Sequence, residues 1–197
     1  MAVAAMLAFG AASVRAQETA QADKDKALAY LESTKKGVLD ATKGLSEAQW
    51  NFKAAPDKWP VAECVEHIAA AEDFIRGMAV DKVMKARAAP DRDTAKIDAG
   101  IMAMIPDRSQ KAQAPDELKP TNRFGSPEGS LKNFVESRTA TENFLKETPN
   151  LRAHAVESPL GGAKLDTYEW VLFISAHSQR HTKQIEEVKA NENFPKK

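Results

Sequence analysis

The sequence predicts an all-α fold, a four-helix bundle with a long crossover between the second and third helices. Three observations carry that expectation. Apolar residues recur at steps of three and four in four long stretches, the period of one helix face. No stretch shows the sustained alternation of a half-buried strand. A proline, a glycine or a capping residue marks an end of each stretch. At 197 residues the chain is long enough for one domain with a sizeable core.

The first stretch, MAVAAMLAFGAASVRAQ, stands apart from the domain. Ala2 to Ala12 is an almost unbroken apolar run, and Val14 and Ala16 put small residues at −3 and −1 before Gln17. No Lys or Arg precedes the run. Residues 1–16 read as a secretory signal peptide cleaved after Ala16, too short for a membrane span of about 20 apolar residues. A buried or disordered N-terminal helix is the competing reading. Residues 17–23 then form a polar linker, 24–190 the bundle and 191–197 a C-terminal tail.

The first bundle helix is expected over 24–45, with Leu28, Leu31, Val38 and Leu45 on one face and Gly44 near its C-cap. LSEAQWNFKAAPDKWP follows as an ordered connection, packing Trp50, Phe52 and Trp59 onto the domain. Pro60 opens the second helix, because its fixed φ suits a first turn. Val61, Cys64, Val65, Ile68, Ala71, Phe74, Ile75 and Met78 give this helix a wide apolar face, and it is expected to end near Ala88 or Ala89. Five prolines punctuate residues 90–129, the crossover, with a short helix over Asp93 to Ile105. A connection this long in a compact domain is often functional. The third helix is expected over 130–148, with Leu131, Phe134, Val135, Thr141 and Leu145 inward and Pro149 as its stop. LRAHAVESPLGGAKL reads as a loop turning at Gly161-Gly162. The fourth helix has the clearest start: Asp166 and Glu169 form a capping box, and Leu165 and Trp170 a hydrophobic staple.

Charge is balanced, with 28 basic and 28 acidic residues. Nucleic acid is therefore not an expected partner, and after cleavage neither is a membrane. Cys64 is the sole cysteine, so no internal disulfide forms and packing must supply stability. A homodimer is compatible with the composition.

The chemistry concentrates in three of the four histidines. The inward stripe of the fourth helix reads Trp170, Ile174, His177, His181, Ile185, Val188. Its two histidines thus interrupt a core seam one turn apart, close enough to share one ion. His67 lies on the second helix's stripe with Cys64, Ala71, Phe74 and Met78. If the two stripes face each other, three imidazoles converge. Three nitrogens suit Zn²⁺, Ni²⁺ or Fe²⁺ and leave a coordination position open. The alternative is a set of hydrogen-bonded core histidines, each of which then needs its own partner among Ile, Phe and Trp. Glu63, one turn before His67, is a candidate general base or a first-turn carboxylate serving helix N–H groups. Cys64 is a ligand or a small buried hydrophobe, Arg180 an anion site or solvated surface, and Tyr168 a candidate donor on position alone. His154 reads as an ordinary surface histidine.

LSEAQWNFKAAPDKWPVAECVEHIAAAE resembles the first half of the DinB/YfiT-like family: a Trp-bearing segment, a second Trp, then a helix with one His. DTYEWVLFISAHSQRHTKQIEEV resembles the family's closing helix with its H-x₃-H. The similarity spans about Lys24 to Ala190; Pro60 departs from it where the family often has a Ser N-cap. The resemblance implies a DinB-like four-helix bundle holding a divalent metal on His67, His177 and His181. Characterised relatives include thiol S-transferases using bacillithiol or mycothiol, among them a maleylpyruvate isomerase. Those thiols are cytosolic, so a periplasmic or secreted member needs another nucleophile. The sequence expectation is an exported, DinB-like metal-dependent hydrolase or transferase acting on an unidentified small molecule. The alternative is a non-catalytic metal- or ligand-binding bundle.

Overall fold

The computed structural model describes residues 3–89, 91–158 and 162–196, with side chains from residue 21 onward. Helix α1 (Val3–Thr42) is one continuous helix, so the 17–23 stretch expected as a linker is helical. The side chains of 1–16, the expected signal peptide, lie outside the described residues. No helix among the described residues is long and apolar enough to cross a membrane.

The order continues with α2 (Glu47–Trp50), α3 (Val61–Met78), α4 (Thr94–Met104), α5 (Pro127–Glu147), a hairpin of β1 (Ala155–Glu157) and β2 (Lys164–Asp166), and α6 (Thr167–Lys189). The four long helices form the expected bundle: α1 packs on α5 and α6, and α3 packs on the same two. The crossover from α3 to α5 carries α4, which lies against α6.

The local signals explain most boundaries. Gly44 takes a left-handed φ of 65° just past α1. Ser46 caps α2, and Gln49 completes a capping box there. α3 starts at Pro60, which offers no side-chain cap. Asp166 and Glu169 make the expected capping box of α6, and both staple residues, Leu165 and Trp170, are buried.

Three further expectations are corrected. The second helix does not reach 88; it relaxes into a π turn at Ala79–Val83. Ala88 then pairs in a short antiparallel bridge with His154. The 151–165 loop is partly strand, with Ala155 opposite Asp166 and Glu157 opposite Lys164. Backbone pairing decides this, since three-residue strands are too short to leave an alternating pattern. Phe74 is 51% exposed, because the apolar stripe of α3 is wider than the surface its neighbours cover. The C-terminal tail is anchored: Phe194 packs edge-on against Phe52 at 5.5 Å, and Gln49 donates to the Pro195 carbonyl at 2.9 Å. Of the expected Gly161-Gly162 turn, Gly161 lies outside the described residues and Gly162 has a φ of 78°.

Two apolar cores lie along the bundle. One gathers Leu31, Ile75, Leu145, Trp170, Leu172 and Ile174. The other gathers Val38, Cys64, Ile68, Phe134, Ile185 and Val188. Between them sits a buried polar post. Arg138 on α5 is fully buried and forks to Glu72 on α3 at 2.7 and 3.0 Å. It also donates to Thr34 and the Leu31 carbonyl on α1, and to Ser178 on α6 at 2.8 Å. One guanidinium thus joins all four helices. A second charged cluster binds the start of α6, where Arg92 pairs with Asp166 and Glu169, and Arg152 with Asp23 and Asp98.

Candidate metal centre

The capping box sets where α6 begins, and its 3.6-residue turn then puts His177 and His181 on the face toward α3. On α3 the same period puts His67 opposite them. His67 Nε2 lies 3.2 Å from His177 Nε2, and His181 Nε2 lies 3.2 Å from the same atom. The three residues offer ligand atoms that all lie within 4.8 Å of one another. Two nitrogens held at about 2.0–2.1 Å from one ion at a tetrahedral angle stand about 3.3–3.4 Å apart, close to the observed spacing.

The outer ring nitrogens are committed elsewhere. His67 Nδ1–H donates to the Leu118 carbonyl at 2.8 Å, and His181 Nδ1–H to Gln184 Oε1 at 2.8 Å. This leaves a bare lone pair on each Nε2, both aimed at His177. A single N–H on His177 can be directed at only one of them. Full protonation offers no escape. Burial, the first cause, pushes the His67 pKa below its ordinary value. Burial, then His67, pushes His177 down to about 3. His181 also falls well below its ordinary value, by burial and then by its two neighbours. Three neutral imidazoles converge with too few protons for their lone pairs. A cation at the centre removes that mismatch, so the residues fit a divalent metal.

The surroundings are apolar and aromatic. Trp59 lies 4.9 Å from the His67 ring and 6.2 Å from the His181 ring, and Phe173 stacks on His177 at 6.1 Å. His67 and His181 are buried, and His177 is the most open of the three. No carboxylate or thiol among the described residues joins the group.

The other candidates fall elsewhere. Glu63 pairs with Lys53 at 2.9 Å and is not part of the histidine group. Cys64 is fully buried in the second core, and burial pushes its thiol pKa far up. Tyr168 sits about two and a half turns before His177, on the opposite side of α6; Arg152 covers its ring at 4.0 Å. Arg180 is neither free nor a solvated surface group. It donates to the carbonyls of Ile105, Asp107 and Gln110 in the crossover. His154 is half-buried, with Nδ1 enclosed and without a hydrogen-bond partner among the described residues, so it is not an ordinary surface histidine.

Sequence reasoning missed the crossover's role. Glu66 accepts from the backbone N–H groups of Thr121, Asn122 and Arg123, and the Leu118 carbonyl fixes His67. Only Glu66 left a trace, as an acidic residue in a largely apolar stretch of α3; its backbone partners leave none.

Known proteins resemble this chain to different depths. The chain is 30% identical over 152 residues to the uncharacterised protein YuaE of Bacillus subtilis (strain 168), spanning 75% of this chain and 87% of YuaE. Its fold is similar to that of YfiT from Bacillus subtilis, described as a probable metal-dependent hydrolase with an unusual four-helix bundle topology. That match has a TM-score of 0.56 at 15% identity and covers 87% of this chain and 89% of YfiT, which establishes likeness of fold. Residues 30–185 match the DinB superfamily, a span that takes in all three histidines. On that match and this bundle, the chain belongs to the DinB superfamily.

Proposed function

We propose that this protein is a metal-dependent hydrolase or transferase whose ion, Zn²⁺, Ni²⁺ or Fe²⁺, is held by His67, His177 and His181. One observation carries the reading: three neutral imidazoles aim Nε2 atoms at one point, with two of their Nδ1–H groups committed elsewhere. A divalent ion held by these three histidines would supply Lewis acidity, and no fourth protein ligand is present among the described residues. The Leu118 carbonyl and Gln184 hold His67 and His181 in one tautomer, and burial favours the neutral form of all three rings. Trp59 and Phe173 flank the rings of His67 and His177.

Hydrolysis is favoured over thiol transfer if the chain is exported. That export, with cleavage after Ala16 and a periplasmic or secreted product, is part of the proposal. N-terminal sequencing of the protein recovered from outside the cytosol tests it; a product still starting at Met1 removes it.

Metal analysis tests the centre. One equivalent of Zn²⁺, Ni²⁺ or Fe²⁺ is expected after reconstitution, and it should be lost in His177→Leu. Sub-stoichiometric uptake of all three metals by the unaltered protein rejects the reading. The low exposure of His67 and His181, 3% and 7%, supports a second reading, a closed metal-binding module without catalysis. Azide added to the Co²⁺-substituted protein separates the two. A changed visible spectrum indicates an open position, and an unchanged one the closed module.

A further inference from the structure

The crossover touches both helices of the histidine centre, but in different ways. On the α6 side, side chains reach out to it. Arg180 and Lys183 donate to backbone carbonyls between Ile105 and Gln110, and Arg108 returns to Glu187 at 2.6 Å. On the α3 side the crossover folds around a single buried carboxylate. Glu66, 5% exposed, accepts from Thr121 N–H at 2.7 Å, Asn122 N–H at 2.9 Å and Arg123 N–H at 3.1 Å. The Arg123 side chain adds a fourth donor at 3.3 Å. Three consecutive N–H groups can meet one anion because Asn122 takes a left-handed φ of 60°, which Asn tolerates well. Three residues before this turn, the Leu118 carbonyl accepts from His67 Nδ1–H at 2.8 Å. Adjacent residues of α3 therefore grip one segment of the crossover. Glu66 holds its turn, and His67 takes its orientation from what that turn presents. Between the α6 contacts at 105–110 and the Leu118 carbonyl, residues 111–113 and 115–117 are exposed.

We infer that Glu66 is a positioning residue of the metal centre: by seating the 121–123 turn it sets the Leu118 carbonyl against His67, so that metal loading and seating of the crossover form one coupled equilibrium. The inference rests on the metal reading above. Its physical basis is direct. The outer hydrogen bond of a ligating histidine fixes ring and tautomer, and here its acceptor belongs to a loop and not to the bundle. With the turn released, His67 loses that acceptor and its Nε2 is no longer held toward His177. Coupling of this kind is reciprocal, so metal must also hold the crossover down.

The experiment uses the whole protein, with Zn²⁺ as the probe. Affinity is measured by chelator competition, and opening by the rate of tryptic cleavage after Lys111. In the unaltered protein, saturating Zn²⁺ should slow that cleavage at least about tenfold, because cleavage follows the open population. Glu66→Asp keeps the charge but shortens the reach. It should lower Zn²⁺ affinity by about 10–100-fold and diminish the protection by a similar factor. A role through charge alone predicts unaltered behaviour for Glu66→Asp and a loss only in Glu66→Gln. Arg123→Ala, which leaves the three backbone donors in place, should change affinity by less than about threefold. Glu66→Asp with unaltered affinity and unaltered protection overturns the inference. So does cleavage of the unaltered protein at one rate with and without bound Zn²⁺, a comparison that decides the matter even if the Glu66 variants do not fold. An unaltered protein that takes up no Zn²⁺, Ni²⁺ or Fe²⁺ overturns the metal reading itself, and this inference with it.

Discussion

Two buried polar clusters lie along α6, and they obey different rules. At Arg138 every strong donor direction meets an acceptor: Glu72 twice, the Leu31 carbonyl, Thr34 and Ser178. Positive and negative charge cancel within the cluster. At the histidines, acceptors outnumber the protons available, and burial keeps the rings neutral. The first cluster is complete without any other molecule. The second has a deficit that a cation would make good. Buried polar groups that satisfy one another hold a fold together, whereas convergent groups of one kind mark a place for a ligand.

The comparison breaks most visibly at Arg138. Arg138→Met leaves Glu72 charged and enclosed at 1% exposure. Breaking such a pair from one side should cost about 3–5 kcal/mol in urea denaturation. Replacing both partners, Arg138→Met with Glu72→Leu, removes the stranded charge. It should recover much of that loss, apart from the bonds to Thr34 and Ser178. A single variant as stable as the unaltered protein contradicts the view of a self-sufficient post.

The histidines should respond the opposite way. With metal at about a hundredfold above Kd, its removal by chelator should cost about 2.7 kcal/mol. For a chain of this length that is roughly a 5–10 °C fall in melting temperature. In His177→Leu the chelator effect should vanish, because one of the three ligands is gone. Without metal the substitution should cost no more than about 1–3 kcal/mol against the unaltered apo protein, since it takes away the one N–H that can face the His67 and His181 lone pairs and leaves no charge behind. A His177→Leu variant whose melting temperature still falls on adding chelator contradicts the metal assignment.

How much of this was legible in the sequence follows from the range of the interactions. Asp166 and Glu169 cap α6 across three residues, so their pattern is local and was readable. The stripe through Trp170, Ile174, His177 and His181 is equally local, and so was His67 within its own helix. Whether the two stripes meet depends on how α3 and α6 pack, which no local pattern states; there the family motif supplied what periodicity alone lacked. The hairpin and the early end of α3 depend on pairing between distant backbone groups, Ala88 with His154 and Val156 with Leu165, and were invisible. The same applies to Arg180. It looks like a surface arginine, and its partners are three carbonyls some seventy residues earlier.

Gln184 tests the boundary of the site at smaller magnitude. Its Oε1 accepts from His181 Nδ1–H at 2.8 Å and from Arg108 at 3.3 Å. Gln184→Leu should weaken metal binding by about 10–100-fold in chelator competition while leaving apo stability little changed, because the residue is only half-buried. Unaltered affinity indicates that His181 needs no outer partner.

Glu63 should give the smallest effect. It stands at the start of α3, four residues from His67, yet its carboxylate turns to Lys53, with both side chains substantially exposed at 29% and 47%. A pair so placed contributes little, so Glu63→Gln should change stability by less than about 0.5 kcal/mol. Metal content and affinity should stay at their unaltered values, since the group of ligand atoms does not include it. Equilibrium denaturation and metal analysis of the same preparation check both statements. If metal affinity falls with Glu63→Gln while stability holds, its carboxylate acts on the centre through a path other than the Lys53 pair. The boundary between scaffold and site then runs through the first turn of α3, one turn before His67.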